Sequence, residues 1–169
     1  PLGDVPVASG LRDDIATETD ATIDERAHAR EHAAEVQLPF LQDRYDSLSV
    51  LPISLRRQDS GTARRLGAAI DEASDGRTVV MASSHFPHYE THELALQRDE
   101  LALQRIRAGD PDGLVETVQT EELSVCGYGA IATMLHAVEG DVDVLAHATS
   151  GDTAGSKDEV VGYAAVTVE

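Results

Sequence analysis

The chain has 169 residues, 41% of them hydrophobic, and a formal net charge of −18. That is enough length and apolar content for a real core, and the charge repels nucleic-acid phosphates and anionic lipid, so neither is an expected partner. No apolar run reaches the length of a membrane span, the start Pro1–Asp4 lacks the regions of a secretion signal, and the one Cys cannot form an intrachain disulfide, all of which suits a cytoplasmic protein.

Lys157 is the only lysine. Arginine-dominated basicity under so many acids has two readings. One is an acidic, halophilic protein kept hydrated in concentrated salt, where the Debye length falls to about 3 Å at 1 M. The other is an ordinary acidic protein.

In chain order, Val5 and Val7 alternate as a short strand, and Leu11 to Thr19 reads as a polar helix with Leu11 and Ile15 on one side. Asp20 to Glu31 is a charged connection. Val36, Leu38, Phe40 and Leu41 suggest a helix from about Ala33 to Tyr45, shaped by Pro39. Leu48 to Leu55 alternates and reads as a buried strand. Asp59 or Ser60 caps a helix carrying Ala63, Leu66, Gly67 and Ile70 on one face, and Gly76 stops it. Arg77 to Ser83 is a second strand. Glu90 to Ala108 is the longest helix, with Leu94–Arg98 echoed seven residues later by Leu101–Arg105. Two heptads are too few for a coiled coil, so the echo reads as core packing. Asp110 and Pro111 open the next helix. Gly129 to Val138 is helical, and Val142 to Ala148 and Val160 to Val168 are strands around a polar loop. Strands alternating with helices predict an α/β fold, a single layered αβ(α) domain over residues 1–169 with a mixed central sheet.

Chemistry gathers in three places. Ser83-Ser84-His85-Phe86-Pro87-His88-Tyr89-Glu90 follows a strand, the place where α/β sheets put their sites. Glu31-His32-Ala33-Ala34-Glu35 spaces its carboxylates four apart, and His28 stands four before His32. Cys126-Gly127-Tyr128-Gly129 holds the lone thiol. Imidazole, thiolate and carboxylate together suit iron, zinc or copper. Taken singly, each histidine pair reads equally as a solvated pair and Cys126 as a small buried apolar residue. There is no HExxH, CxxC, P-loop, GxGxxG or GxSxG.

The run Glu31-His32-Ala33-Ala34-Glu35-Val36-Gln37-Leu38-Pro39-Phe40-Leu41 resembles the EHSxEVQLPFL signature of the Memo family. Ser83-Ser84-His85-Phe86-Pro87-His88-Tyr89 is similar to its SSDFxHY, Cys126–Gly129 matches its CGYG, and Ser150-Gly151-Asp152 through Val160–Ala164 resembles its closing loop and strand. The resemblance implies a fold similar to class III extradiol dioxygenases, the non-haem iron enzymes. It implies a mononuclear metal, iron or copper with zinc as a further candidate, held by His32 and Cys126. It places His88 at the catalytic-base position and His85 beside it, where the family carries Asp. Glu35 is the acid whose spacing lets it orient a histidine. Family members run longer at the N-terminus, and that segment carries a further histidine ligand. A fold without it would expose a sheet edge and invite self-association.

Two functions follow from the resemblance. One is a metal-binding protein with redox or dioxygenase-like chemistry on a small molecule, with a radical-SAM partner protein implied. The other is a non-catalytic adaptor that holds a ligand or peptide beside a degenerate metal site.

Overall fold

The computed structural model describes residues 2–86, 88–153 and 155–169, and for His88 and Tyr89 the backbone alone. Helix α1 (Ser9–Glu18) buries Ile15, and the short α2 (Glu25–His28) is capped by Asp24. A 3-10 turn, Glu35–Gln37, leads into α3 (Leu38–Arg44), with Pro39 in the first turn, where a missing N–H costs nothing. Helix α4 (Ser60–Ala73) starts at Asp59, whose carboxylate accepts from the Thr62 N–H at 2.8 Å. Strand β1 (His88–Glu90) precedes α5 (His92–Arg107). Helix α6 (Pro111–Thr120) is capped by Asp110, which accepts from the Gly113 N–H at 2.9 Å, and α7 (Tyr128–Ala137) follows it. Strands β2 (Val142–Thr149) and β3 (Val160–Val168) close the chain.

These strands form one sheet in the order β1-β3-β2. β2 and β3 are an antiparallel hairpin running from Val142 opposite Val168 to Thr149 opposite Gly162. β1 adds antiparallel to the other side of β3. The α/β character is as expected, but the sheet is antiparallel where a mixed one was predicted. Parallel geometry occurs at the isolated bridge between Val7 and Val50, where the Ala8 N–H donates to the Val50 carbonyl at 2.9 Å.

The correction has a physical reason. Residues 48–55 and 77–83 alternate as buried segments should, but among the described residues neither is zipped into a ladder beyond that bridge. Leu51, Leu55 and Val80 pack against the core formed by Ile15, Leu66, Ile70 and Ala137. Ala82 packs against the larger core under α5, built on Leu103, Ile106, Leu114, Val125 and Ile131. Val79 and Met81 point away and are 76% and 53% exposed. Alternation reports which side chains meet the core, not whether the backbone finds a neighbour.

Helix α5 packs on the core as the echo predicts, through Ala95, Ala102 and Leu103. Leu103 is fully buried, but Leu94 and Leu101 lie on the outer side. Beneath the helix Asp99 is fully buried and accepts a 2.7 Å hydrogen bond from His147 Nε2 on β2. Burial raises the Asp99 carboxyl above its usual range, and the hydrogen bond from His147 partly opposes that.

Candidate functional site

The turn between α6 and α7 is where two of the predicted residues, Cys126 and His85, meet. Val125 is buried and anchors the approach; Cys126 follows and is exposed. The Cys126 N–H donates to the His85 carbonyl at 3.2 Å, and the His85 N–H donates to Cys126 Sγ at 3.1 Å. This reciprocal pair stitches the end of the 77–85 segment to the turn. Ser84 Oγ accepts from the Gly127 N–H at 2.8 Å, donates to the His85 carbonyl at 3.0 Å, and lies 3.8 Å from the sulfur. The sulfur therefore faces the His85 N–H on one side. His85 Nδ1 stands 3.9 Å from it.

The glycines of the turn are required by close approach. A Cβ on Gly127 would lie 2.8 Å from Ser84 Cβ, and one on Gly129 would lie 2.7 Å from Gln58 Cβ. Gln58 clamps the turn at both ends. Its Nε2 donates to the Cys126 carbonyl at 2.9 Å, and its Oε1 accepts from the Gly129 N–H at 2.9 Å. Nothing in the sequence marks Gln58: it sits in no motif, and its partners are about seventy residues away.

His32 is placed differently. It follows α2 and lies outside it, so His28 and His32 do not share a helical face. Its Nδ1 donates to Glu35 Oε2 at 2.9 Å, and the His32 side chain is 78% exposed. This is the carboxylate partnership that fixes the tautomer of a metal-binding imidazole and turns the other nitrogen outward. Here Glu35 orients His32. Glu31 uses its carboxylate on the backbone N–H groups of Ala33 and Ala34. His28 Nδ1 is 3.5 Å from Ser54 Oγ.

His88 lies in β1 with its backbone opposite Val161; its side chain falls outside the described atoms. His92 opens α5. It caps the closing loop, hydrogen-bonded to Thr149 Oγ1 at 2.8 Å.

The donors can be tested against a metal on chemistry. Bonds of ~2.3 Å to sulfur and ~2.0 Å to nitrogen at a tetrahedral angle separate the two donor atoms by about 3.5 Å. Cys126 Sγ and His85 Nδ1, at 3.9 Å, fit that demand as a thiol–imidazole pair. His32 has the right oriented imidazole. Among the described residues, no three His, Cys, Asp or Glu side chains converge on one point.

Comparison with known proteins places these residues in a family. The family model described as Memo-like protein matches residues 1–167. A MEMO1 family protein of Pyrobaculum arsenaticum is 41% identical over 174 residues, covering 98% of this chain and 62% of that protein. One of Methanopyrus kandleri is 39% identical over 175 residues, covering 98% and 62%. One of Metallosphaera sedula is 39% identical over 173 residues, covering 98% and 61%. The chain thus spans about three-fifths of the length of these relatives. Among the described residues no helix is long and apolar enough to cross a membrane. A match along nearly the whole chain, running through the Cys126 turn and the His32 segment alike, shows that the chain belongs to the Memo family.

Proposed function

We propose that this chain is a metal-binding Memo-family protein with redox or dioxygenase-like activity, and that the Cys126 turn is the anchor of its metal. The observation that carries this reading is the sulfur held by the His85 N–H at 3.1 Å with an imidazole nitrogen 3.9 Å away. By the family resemblance Cys126 and His32 would hold the ion; the imidazole that stands beside the sulfur among the described residues is that of His85. A bound iron or copper would supply one-electron and oxygen chemistry.

The protein's own part is positional. The Ser84 and Gln58 bonds hold the turn rigid, so Cys126 keeps one orientation. Glu35 keeps a proton on His32 Nδ1 and leaves Nε2 as the lone-pair side. His88, on the strand that leaves this segment, is the general base of the reading, taking a proton from a hydroxylated substrate. His85 in place of the family's Asp exchanges a hard carboxylate for a borderline imidazole, which favours iron, copper or zinc over harder ions.

Oxygen consumption tests the reading. Iron-reconstituted protein given a catechol should take up oxygen, and His88→Ala should lose most of that rate with its metal content unchanged. Metal-loaded protein that takes up no oxygen with any diol would leave a binding protein and remove the oxygen chemistry.

A further inference from the structure

Residues 98 and 99 of α5 meet all three strands of the sheet. Arg98 pairs with Glu90 on β1. Asp99, fully buried, accepts from His147 Nε2 on β2 at 2.7 Å. The same carboxylate lies against β3: a Cβ on Gly162 would stand 2.4 Å from Asp99 Oδ2, so the strand has room only for glycine there.

These charges do not balance by themselves. Glu90 and Asp99 are two acids beside one arginine. One oxygen of each, Glu90 Oε2 and Asp99 Oδ1, is buried with no hydrogen-bond partner among the described residues. A buried carboxylate oxygen without a donor is costly. The second negative charge is offset by a proton, held on Asp99 or on His147, whose Nε2–H donates to the carboxylate whether the ring is neutral or charged. His147 also lines the open trough of about 510 Å³ on the outer side of α5, so water reaches the pair although Asp99 itself is sealed.

The other charges on the elements packed around α5 are turned elsewhere. On the helix itself Glu100 pairs with Arg107, and Glu93 is exposed. On α6 Asp112 pairs with Arg64, and Glu116 lines the trough beside Arg105. Asp143 on β2 is exposed, Asp152 beyond it faces His92, and β3 carries no Asp, Glu, Lys or Arg.

We propose that Asp99 and His147 form a pH-sensitive latch between α5 and the β2–β3 hairpin, closed while the pair keeps its balancing proton and weakened when that proton leaves. Burial raises the Asp99 carboxyl, the hydrogen bond and charge of His147 oppose the rise, and Glu90 adds to it. A raised carboxyl favours the fold below its ordinary 3.8, and that contribution is lost as the pH climbs through the folded value. Strand β1 is paired to the other side of β3, so the latch bears also on the strand that carries His88.

Hydrogen exchange of the hairpin amides, residues 144–149 and 162–166, tests the latch. It is followed from about pH 4 to 8, corrected for intrinsic exchange, in ~1 M KCl to screen the surface charge. Protection in the parent should fall roughly tenfold or more as the pair loses its proton. Asp99→Asn, of the same shape and with no proton to lose, should abolish the fall. His147→Phe takes the N–H from the carboxylate and should shift the pH at which protection falls. Protection that stays flat in the parent, or that falls alike in Asp99→Asn, overturns the proposal. So does an unshifted fall in His147→Phe, which decides the matter by itself if Asp99→Asn does not fold.

Discussion

The two most patterned stretches of this chain, Cys126–Gly129 and Glu31–Leu41, are held in opposite ways. The cysteine turn is tied to distant segments. Its backbone bonds reach His85, Ser84 and Gln58, and Val125 and Ile131 on either side are buried. The histidine run is tied mainly to itself. His32 pairs with Glu35, Glu31 caps Ala33 and Ala34, and its apolar residues Val36 and Phe40 are 53% and 75% exposed. The two stretches belong to one family signature, but only the first is fixed by the core. The turn is positioned by bonds to distant parts of the chain. The histidine is oriented by a carboxylate but sits on a segment that can move with little loss of packing.

The largest test of this contrast is truncation. Leu103→Ala removes a fully buried side chain and should cost roughly 2–5 kcal/mol. Phe40→Ala, although it removes a larger side chain, should stay within about 0.5 kcal/mol because water already reaches it. Urea denaturation of both variants decides the matter, and similar losses would break the contrast.

The clamp comes next. Gln58→Ala gives up both hydrogen bonds to the turn and should cost roughly 1–3 kcal/mol. Glu35→Gln, at an exposed pair, should change stability by less than about 1 kcal/mol. A Glu35→Gln cost equal to that of Gln58→Ala would mean that the histidine run is as firmly built as the turn.

A smaller effect concerns acid. Asp59, Asp75 and Asp152 hold their carboxyls below the ordinary 3.8, chiefly because the backbone N–H groups of Thr62, Arg77 and Thr149 donate to them. A depressed carboxyl stabilises the fold while it is ionised. That stabilisation is complete above 3.8 and disappears as the pH falls through the folded value. Stability should therefore decline below about pH 4, and Asp59→Asn should flatten the decline. An acid slope unchanged in Asp59→Asn would show that this cap does not titrate as described. All three bind the framework rather than the histidine run, so that run should contribute little to the slope.

Much of the framework was legible because its signals are local. Asp59, Asp110 and Pro111 mark helix starts through their own side chains, and β2 and β3 end at their turn residues. What was misread depends on distant partners. The alternation of Val79, Val80, Met81 and Ala82 is real, yet it records two cores on one side and solvent on the other, with no ladder among the described residues. The Leu94–Arg98 echo does pack on the core, but leucine spacing cannot say which of its residues face inward; Ala95, Asp99, Ala102 and Leu103 do so, and Leu94 and Leu101 do not. The motifs singled out Cys126, His32, His85 and His88 one by one. That Cys126 and His85 touch, and that Glu35 belongs to His32, became visible only in three dimensions.

Whether Cys126 anchors a metal, as proposed, is decided by metal binding to the chain and its variants. Titration with cobalt, whose bond to a thiolate gives its own charge-transfer absorption, reports the sulfur ligand separately from total metal. Binding should be near-stoichiometric with a thiolate band, the band should be lost in Cys126→Ser, and binding should be roughly 10–100-fold weaker in Glu35→Gln. Tight binding that persists in Cys126→Ser, or a parent chain that binds cobalt without the thiolate band, would contradict the proposal.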